Sequence, residues 1–176
     1  VVELVPALGE VGIQSNVRGP ICTTPDNLPL CGPAWGKSNL WLAEGFSAGL
    51  VMGAGIAHEL ANWIVDGEPH IDLSEIDSRR FGAYANKVYT GHKNKEAFGH
   101  NFGIHYPGYE WPAARPAKTM PCYDRLTAAG AAWGSVYGWE IPLWFAPKGI
   151  EPRDEWSYRV FNSMLHVGNE CRAVRE

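Results

Sequence analysis

The stretch Leu40-Trp-Leu-Ala-Glu-Gly-Phe-Ser-Ala-Gly-Leu-Val-Met-Gly-Ala-Gly-Ile-Ala-His58 decides how this chain is read. A short apolar strand, Leu40 to Ala43, feeds a Gly-Phe-Ser-Ala-Gly turn. A helix of small residues follows, with Ser47 as its expected N-cap, and runs to about Val65 before Asp66-Gly67 stops it. A strand that ends in a glycine turn and opens a helix aims several backbone N–H groups at one point, and the helix dipole adds partial positive charge there. Such a place suits a phosphate, a carboxylate or the N1–C2=O edge of a flavin. Gly45, Gly49 and Gly53 recur every fourth residue, which leaves one helix face nearly bare for a close approach by backbone or ligand.

Outward from that stretch, Thr24-Pro-Asp-Asn-Leu-Pro-Leu-Cys-Gly-Pro33 is a rigid double-proline turn running into a short strand at Leu30-Cys31. Asp26 between the two prolines reads as an Asx-turn that satisfies nearby amides. Gly36 to Asn39 reads as a hairpin turn. Val1 to Leu8 reads as a short helix end, and Gly12 to Cys22 as a weakly alternating strand. Further on, Ser74 to Lys87 reads as a helix with Ser74 and Asp77 as a capping box. Tyr89 to Pro121, rich in Gly, His, Tyr and Pro, reads as a long loop of functional or interfacial use. Cys122 to Ala132 reads as a helix and Gly134 to Phe145 as a strand region. Phe161 to Glu176 reads as a helix with His166, Glu170 and Arg175 toward solvent.

These segments together resemble the end of the FAD domain in the glycine-oxidase and sarcosine-oxidase superfamily, above all the dimethylglycine and sarcosine dehydrogenases that carry a folate domain. The family pattern T-P-D-x-x-P-x-x-G-P falls on Thr24, Pro25, Asp26, Pro29, Gly32 and Pro33, and G-F-x-x-G on Gly45, Phe46 and Gly49. The likeness continues through Asp66-Gly-Glu-Pro69, Ile71-Asp-Leu73 and Asp77-Ser-Arg-Arg-Phe81. It returns at Gly138-Trp-Glu140, Pro142, Trp144-Phe145 and Glu170-Cys-Arg-Ala-Val-Arg175. Where many aminomethyltransferases have a histidine after that glutamate, this chain has Cys171.

The resemblance implies an α+β chain in three parts. Residues 1–68 would be the C-terminal part of an FAD-dependent oxidoreductase domain of the FAD/NAD(P)-binding, D-amino-acid-oxidase type. Residues 69–125 would be a small central domain, and residues 126–176 the start of an aminomethyltransferase-like, folate-binding domain. It also implies FAD and tetrahydrofolate as cofactors of a parent enzyme that N-demethylates a small methylated amine, dimethylglycine or sarcosine. The electron acceptor is left open between a flavoprotein and oxygen. Gly45, Phe46, Ser47, Gly49 and Leu50 would lie against the pyrimidine side of the flavin, where preorganised amides favour the reduced, anionic form. The family's flavin attachment and most of its substrate contacts lie in sequence upstream of this stretch, so no catalytic residue is assigned. The alternatives are a folate-binding aminomethyltransferase-type protein and an inactive structural module.

The bulk properties fit. A chain of 176 residues with 45% hydrophobic residues has room for one ordinary domain or pieces of two. The net charge of −4 gives no electrostatic support to a nucleic-acid partner. The longest mainly apolar run, Phe46 to Ala57, is too short to span a bilayer. Cys22, Cys31, Cys122 and Cys171 show no C-x-x-C spacing, and reduced thiols in a cytosolic or, in a eukaryote, mitochondrial-matrix compartment are expected. There is no initiator Met and no G-x-G-x-x-G after a strand, so the chain is expected to be an internal piece of a longer enzyme. Arg18 reads as a surface residue and His58 as a non-catalytic helical histidine. His92, His100 and His105 match no compact zinc spacing, and no metal is expected. Trp133, Trp139 and Trp144 are expected to pack an interface.

Overall fold

The computed structural model describes residues 3–176, so the part of the expected first helix at Val1 and Val2 lies outside the described residues. A short 3-10 turn covers Pro6–Gly9. The segment from Gly12 to Cys22 forms no strand. Its weak alternation finds no neighbouring edge, and a lone strand leaves its backbone groups unpaired.

Two antiparallel hairpins organise the rest. Strand β1, Leu30–Pro33, pairs with β2, Trp41–Glu44, across the turn expected at Gly36 to Asn39. Gly36 and Asn39 both take positive φ there. Helix α1, Gly49–Asp66, leaves β2 through the glycine turn and ends on Gly67 in the left-handed conformation. Its N-cap is Ala48 rather than the expected Ser47, and no side chain caps it. The first core gathers where α1 returns over β1. Cys31, Trp63 and Leu73 are buried, with Trp41, Ile56, Leu60 and Ile76 packed around them.

The next segment differs most from the sequence reading. Ser74 starts no helix; Asp77 instead caps a 3-10 turn, Ser78–Arg80, by accepting from the Arg79 amide. Helix α2 runs from Lys87 to His100, inside the stretch expected to be a loop. Two glycines and several polar residues weaken its local signal. It is fixed by its ends and by burial: Asn86 Oδ1 accepts from the Val88 and Tyr89 amides, while Lys93 and Ala97 are buried. Beyond it, Tyr106 to Pro121 is irregular.

Helix α3 is shorter than expected, Tyr123–Ala128, because Ala131 and Ala132 begin strand β3, Ala131–Val136. The expected strand region is in fact the second hairpin. Strand β3 pairs antiparallel with β4, Trp139–Phe145, with an irregularity between Ala132 and Trp133. Its turn is Tyr137-Gly138, both at positive φ, the arrangement that matches hairpin twist. Helix α4, Met164–Arg175, closes the chain. His166 and Glu170 do not face solvent as expected. His166 stacks on Trp144 with ring centroids 5.4 Å apart, and Glu170 Oε1 accepts from the Phe145 amide at 2.7 Å. Ala132, Trp144 and Ala146 form the second buried cluster, with Val167 against it. No described helix is long and apolar enough to cross a membrane.

Candidate functional site

Gly45 sits at φ +74°, a conformation that favours glycine, and a Cβ there would lie 2.8 Å from the Thr24 methyl. The chain therefore turns sharply between β2 and α1. Phe46 is half-buried, and Ser47, Gly49 and Leu50 are exposed. The first turn of α1 is open. Val51 and Met52 both donate to the Ala48 carbonyl, and no side chain covers the amides ahead of them. A Cβ at Gly49 would meet nothing closer than Phe46 Cβ at 3.5 Å, and one at Gly53 or Gly55 nothing within 4 Å. Leu50 and Val51 point outward, fully or nearly exposed. The five turn residues thus come together at one helix end; Gly45 lies ahead of the helix against Thr24 and the backbone of Pro29 and Leu30, while Gly49, Gly53 and Gly55 within it meet no backbone from outside the helix.

This open turn rests on a built support. Thr24, 5% exposed, donates from Oγ1 to the Leu28 carbonyl at 2.7 Å. Asp26 makes the expected Asx-turn, accepting from the Leu28 amide at 3.1 Å. It also does what the sequence did not signal. Arg80 donates to both its oxygens, from Nε at 2.7 Å and from an Nη at 2.9 Å, and further to the Leu28 carbonyl at 2.9 Å. Fifty-four residues separate the partners, so no local pattern announces the pair.

Two ion-pair groups hold the later segments. Lys93, buried in α2, donates to Glu96 at 2.8 Å and to the Trp111 carbonyl at 2.9 Å. Arg115 makes a two-pronged bond to Glu140, at 2.9 and 2.6 Å, and lies 3.8 Å from Glu110. Burial opposes the Arg115 charge, yet the hydrogen bonds and charge of Glu140, with Glu110 behind it, raise its pKa. Glu140 itself is 2% exposed. Between these groups and the Asp26 turn lies a cavity of about 410 Å³ lined by Leu28, Phe81, Tyr84, Tyr89, Trp111 and the Tyr137-Gly138 turn, among others. Three of its rings already carry cations of the chain. Arg80 lies over Phe81, Lys93 over Trp111, and Lys118 over Tyr84, with Trp139 outside the cavity on the same lysine. Burial chiefly, helped by Tyr89 and Asp26, pushes the Tyr84 phenol well above its usual range.

The remaining candidates disperse. Arg18 and His58 are exposed. His100 and His105 meet edge to face at 4.4 Å within a ring cluster that includes Tyr109 and Trp111, and His92 is exposed. No three metal-ligating side chains among the described residues are grouped to hold an ion. The cysteines are all unpaired. Of the three tryptophans expected at an interface, Trp144 is buried under α4, Trp133 packs on Tyr123, and Trp139 is 46% exposed beside Lys118.

The segment that carries Arg80, α2 and the Lys93–Glu96 group is also the one with a family match. Residues 66–119 match the FAD dependent oxidoreductase central domain. The likeness to individual proteins runs further. The chain is 36% identical over 99% of its length to rat (Rattus norvegicus) mitochondrial dimethylglycine dehydrogenase, of which it covers 20%. It is 34% identical over 98% of its length to the formaldehyde-forming 4-methylaminobutanoate oxidase of Paenarthrobacter nicotinovorans, covering 21% of it. Human mitochondrial sarcosine dehydrogenase matches at 36% over 88% of the chain and 17% of that protein. The chain thus spans about one fifth of the length of the curated relatives it matches.

Proposed function

We propose that this chain forms one wall of a flavin site and the passage from it toward a folate-type domain, in an FAD-dependent enzyme that N-demethylates dimethylglycine or sarcosine. The observation that carries the reading is the open, uncapped first turn of α1, entered through Gly45 at a φ that favours glycine and placed in a chain alike along its length to enzymes of methylated amines. The residues present fit the pyrimidine edge of a flavin. Uncapped amides give donors, Gly49 leaves the helix start without a side chain, and no described atom fills the space beside Gly53.

FAD, when bound, supplies the hydride acceptor. The chain's own residues do the rest of the work assigned here. Gly45 turns the backbone between β2 and α1, and the amides at the start of α1 are left without a capping side chain. The dipole of the 18-residue helix adds positive potential where negative charge collects on reduction. Phe46, half-buried, braces the turn from the chain's side. Loss of a hydride from the N-methyl carbon to the flavin would leave the amine as an iminium, whose hydrolysis gives formaldehyde and the demethylated amine; a folate-type domain, when it holds tetrahydrofolate, would supply an acceptor for the one-carbon unit. The three-part division at 68 and 125 belongs to the same reading, supported by the central-domain match over 66–119. The relatives named mitochondrial support a matrix address if the source is eukaryotic.

The test is anaerobic mixing of dimethylglycine or sarcosine with the flavin-loaded, full-length protein that carries this segment. Bleaching of the flavin absorbance by either amine is the expected result, and an unchanged spectrum with both would overturn the proposal.

A further inference from the structure

We infer that Arg80, far from the flavin turn in sequence, is a positioning residue for it, acting through Asp26 and Thr24; the inference rests on the flavin reading of Gly45–Leu50. The chain of contacts is continuous. The Arg80 side chain is 2% exposed and forks onto Asp26, so its charge is neutralised in one geometry that only a guanidinium matches. Its second reach, to the Leu28 carbonyl, fixes the acceptor that also takes the Thr24 hydroxyl. Thr24 is thereby held by Leu28, and by Asp26 at 3.2 Å, with its methyl in the space a Gly45 side chain would need. Arg80 is itself anchored, donating to the Asp77 carbonyl at 3.1 Å, while the Cys31 amide donates to the Ile76 carbonyl at 2.8 Å. The segment matching the central domain therefore grips the turn that precedes β1 and, through it, the backbone at Gly45. Arg80, Asp26 and Thr24 are not among the turn residues assigned to the flavin edge, so the role is one of position and not of chemistry.

Two readouts separate the inference from the reading it rests on. The first is the rate of limited chymotryptic cleavage after Phe46, mapped on the full-length protein, in Arg80→Lys and in Thr24→Ser, which keeps the hydroxyl and removes only the methyl. The second is the flavin reduction potential of the loaded full-length protein with the same substitutions. The inference expects cleavage after Phe46 to speed by about tenfold in Arg80→Lys, the scale of one lost charge-assisted hydrogen bond. Thr24→Ser is expected to give a smaller rise, cleavage at the β3–β4 turn to be unchanged, and the potential to move in both variants. Unchanged cleavage after Phe46 in both variants would overturn the positioning role and leave the flavin reading intact. Faster cleavage after Phe46 with an unmoved potential would overturn the flavin reading, and the positioning role with it. Equal acceleration at the β3–β4 turn in both variants would overturn the inference by showing a general loosening.

Discussion

Gly49 and Gly32 are both glycines, and the structure gives them opposite reasons. At Gly49 a side chain has room in the chain itself, its nearest neighbour Phe46 Cβ at 3.5 Å. Gly49→Val is therefore expected to fold as the parent does and to fail only toward the flavin. The valine side chain would hold a flavin off the amides of the helix start, and losing the contact with one oriented donor costs about 3 kcal/mol in comparable sites, so stopped-flow flavin reduction should slow about 10²-fold. A wild-type rate would make the turn structural only. Gly32 sits at φ +101° with Trp63 Cζ3 only 2.6 Å from where a Cβ would lie. Gly32→Ala is expected to lower stability by about 2 kcal/mol or more, combining backbone strain with overpacking, read as a shift in the urea midpoint. Tyr84 supplies a pH prediction. Its folded pKa is raised, so it favours the folded state below the unfolded value of about 10, and that contribution is lost as pH rises beyond it. Between pH 9 and 11, Tyr84→Phe should lose less stability than the parent in urea titrations; parallel curves would contradict the assignment.

At the scale of elements, the ion pair between Arg115 and Glu140 joins the irregular segment after α2 to the start of β4. Glu140 is nearly fully buried, so removing its charge leaves the half-buried Arg115 guanidinium without its main partner. Glu140→Gln is expected to cost about 3 kcal/mol in denaturant unfolding, and a loss under 1 kcal/mol would show that Glu110 takes over the pairing. The same element shows what sequence carries and what it hides. The β1–β2 hairpin, α1 and its Gly67 stop were legible because their signals are local: a glycine turn, a run of small apolar residues, a left-handed stop. Helix α2 was hidden because its glycines and polar residues speak against a helix, and the terms that fix it, burial of Lys93 and its bond to the Trp111 carbonyl, come from 18 residues away. The candidate site divided the same way. The turn at Gly45 to Leu50 was visible, and so was the Asx-turn at Asp26. The Arg80 fork was not, since nothing near either residue encodes a partner at such distance.

For the whole molecule, the two buried clusters are small, and Leu50, Val51 and Val65 of α1 and Leu165 and Val174 of α4 stand exposed. The proposed function gives those apolar surfaces a purpose as faces against the rest of a flavin enzyme. It also predicts that the 176-residue chain by itself, which has no G-x-G-x-x-G fingerprint for the pyrophosphate, purifies without a stoichiometric flavin absorbance; such a band would contradict the account. The central claim is that a flavin wall and the Gly138-Trp-Glu140 strand of a folate-type domain belong to one enzyme that passes a one-carbon unit between them. Tethering both sites in one chain would raise the effective concentration of the reactive iminium at the second. The direct measurement is formaldehyde released per dimethylglycine or sarcosine oxidised by the full-length protein, with and without tetrahydrofolate, corrected for the spontaneous reaction of formaldehyde with the folate. The account predicts near-stoichiometric formaldehyde without tetrahydrofolate and much less with it; equal corrected yields would contradict the account and leave the folate-like segment, with Cys171 in place of the family's histidine, without a role in the transfer.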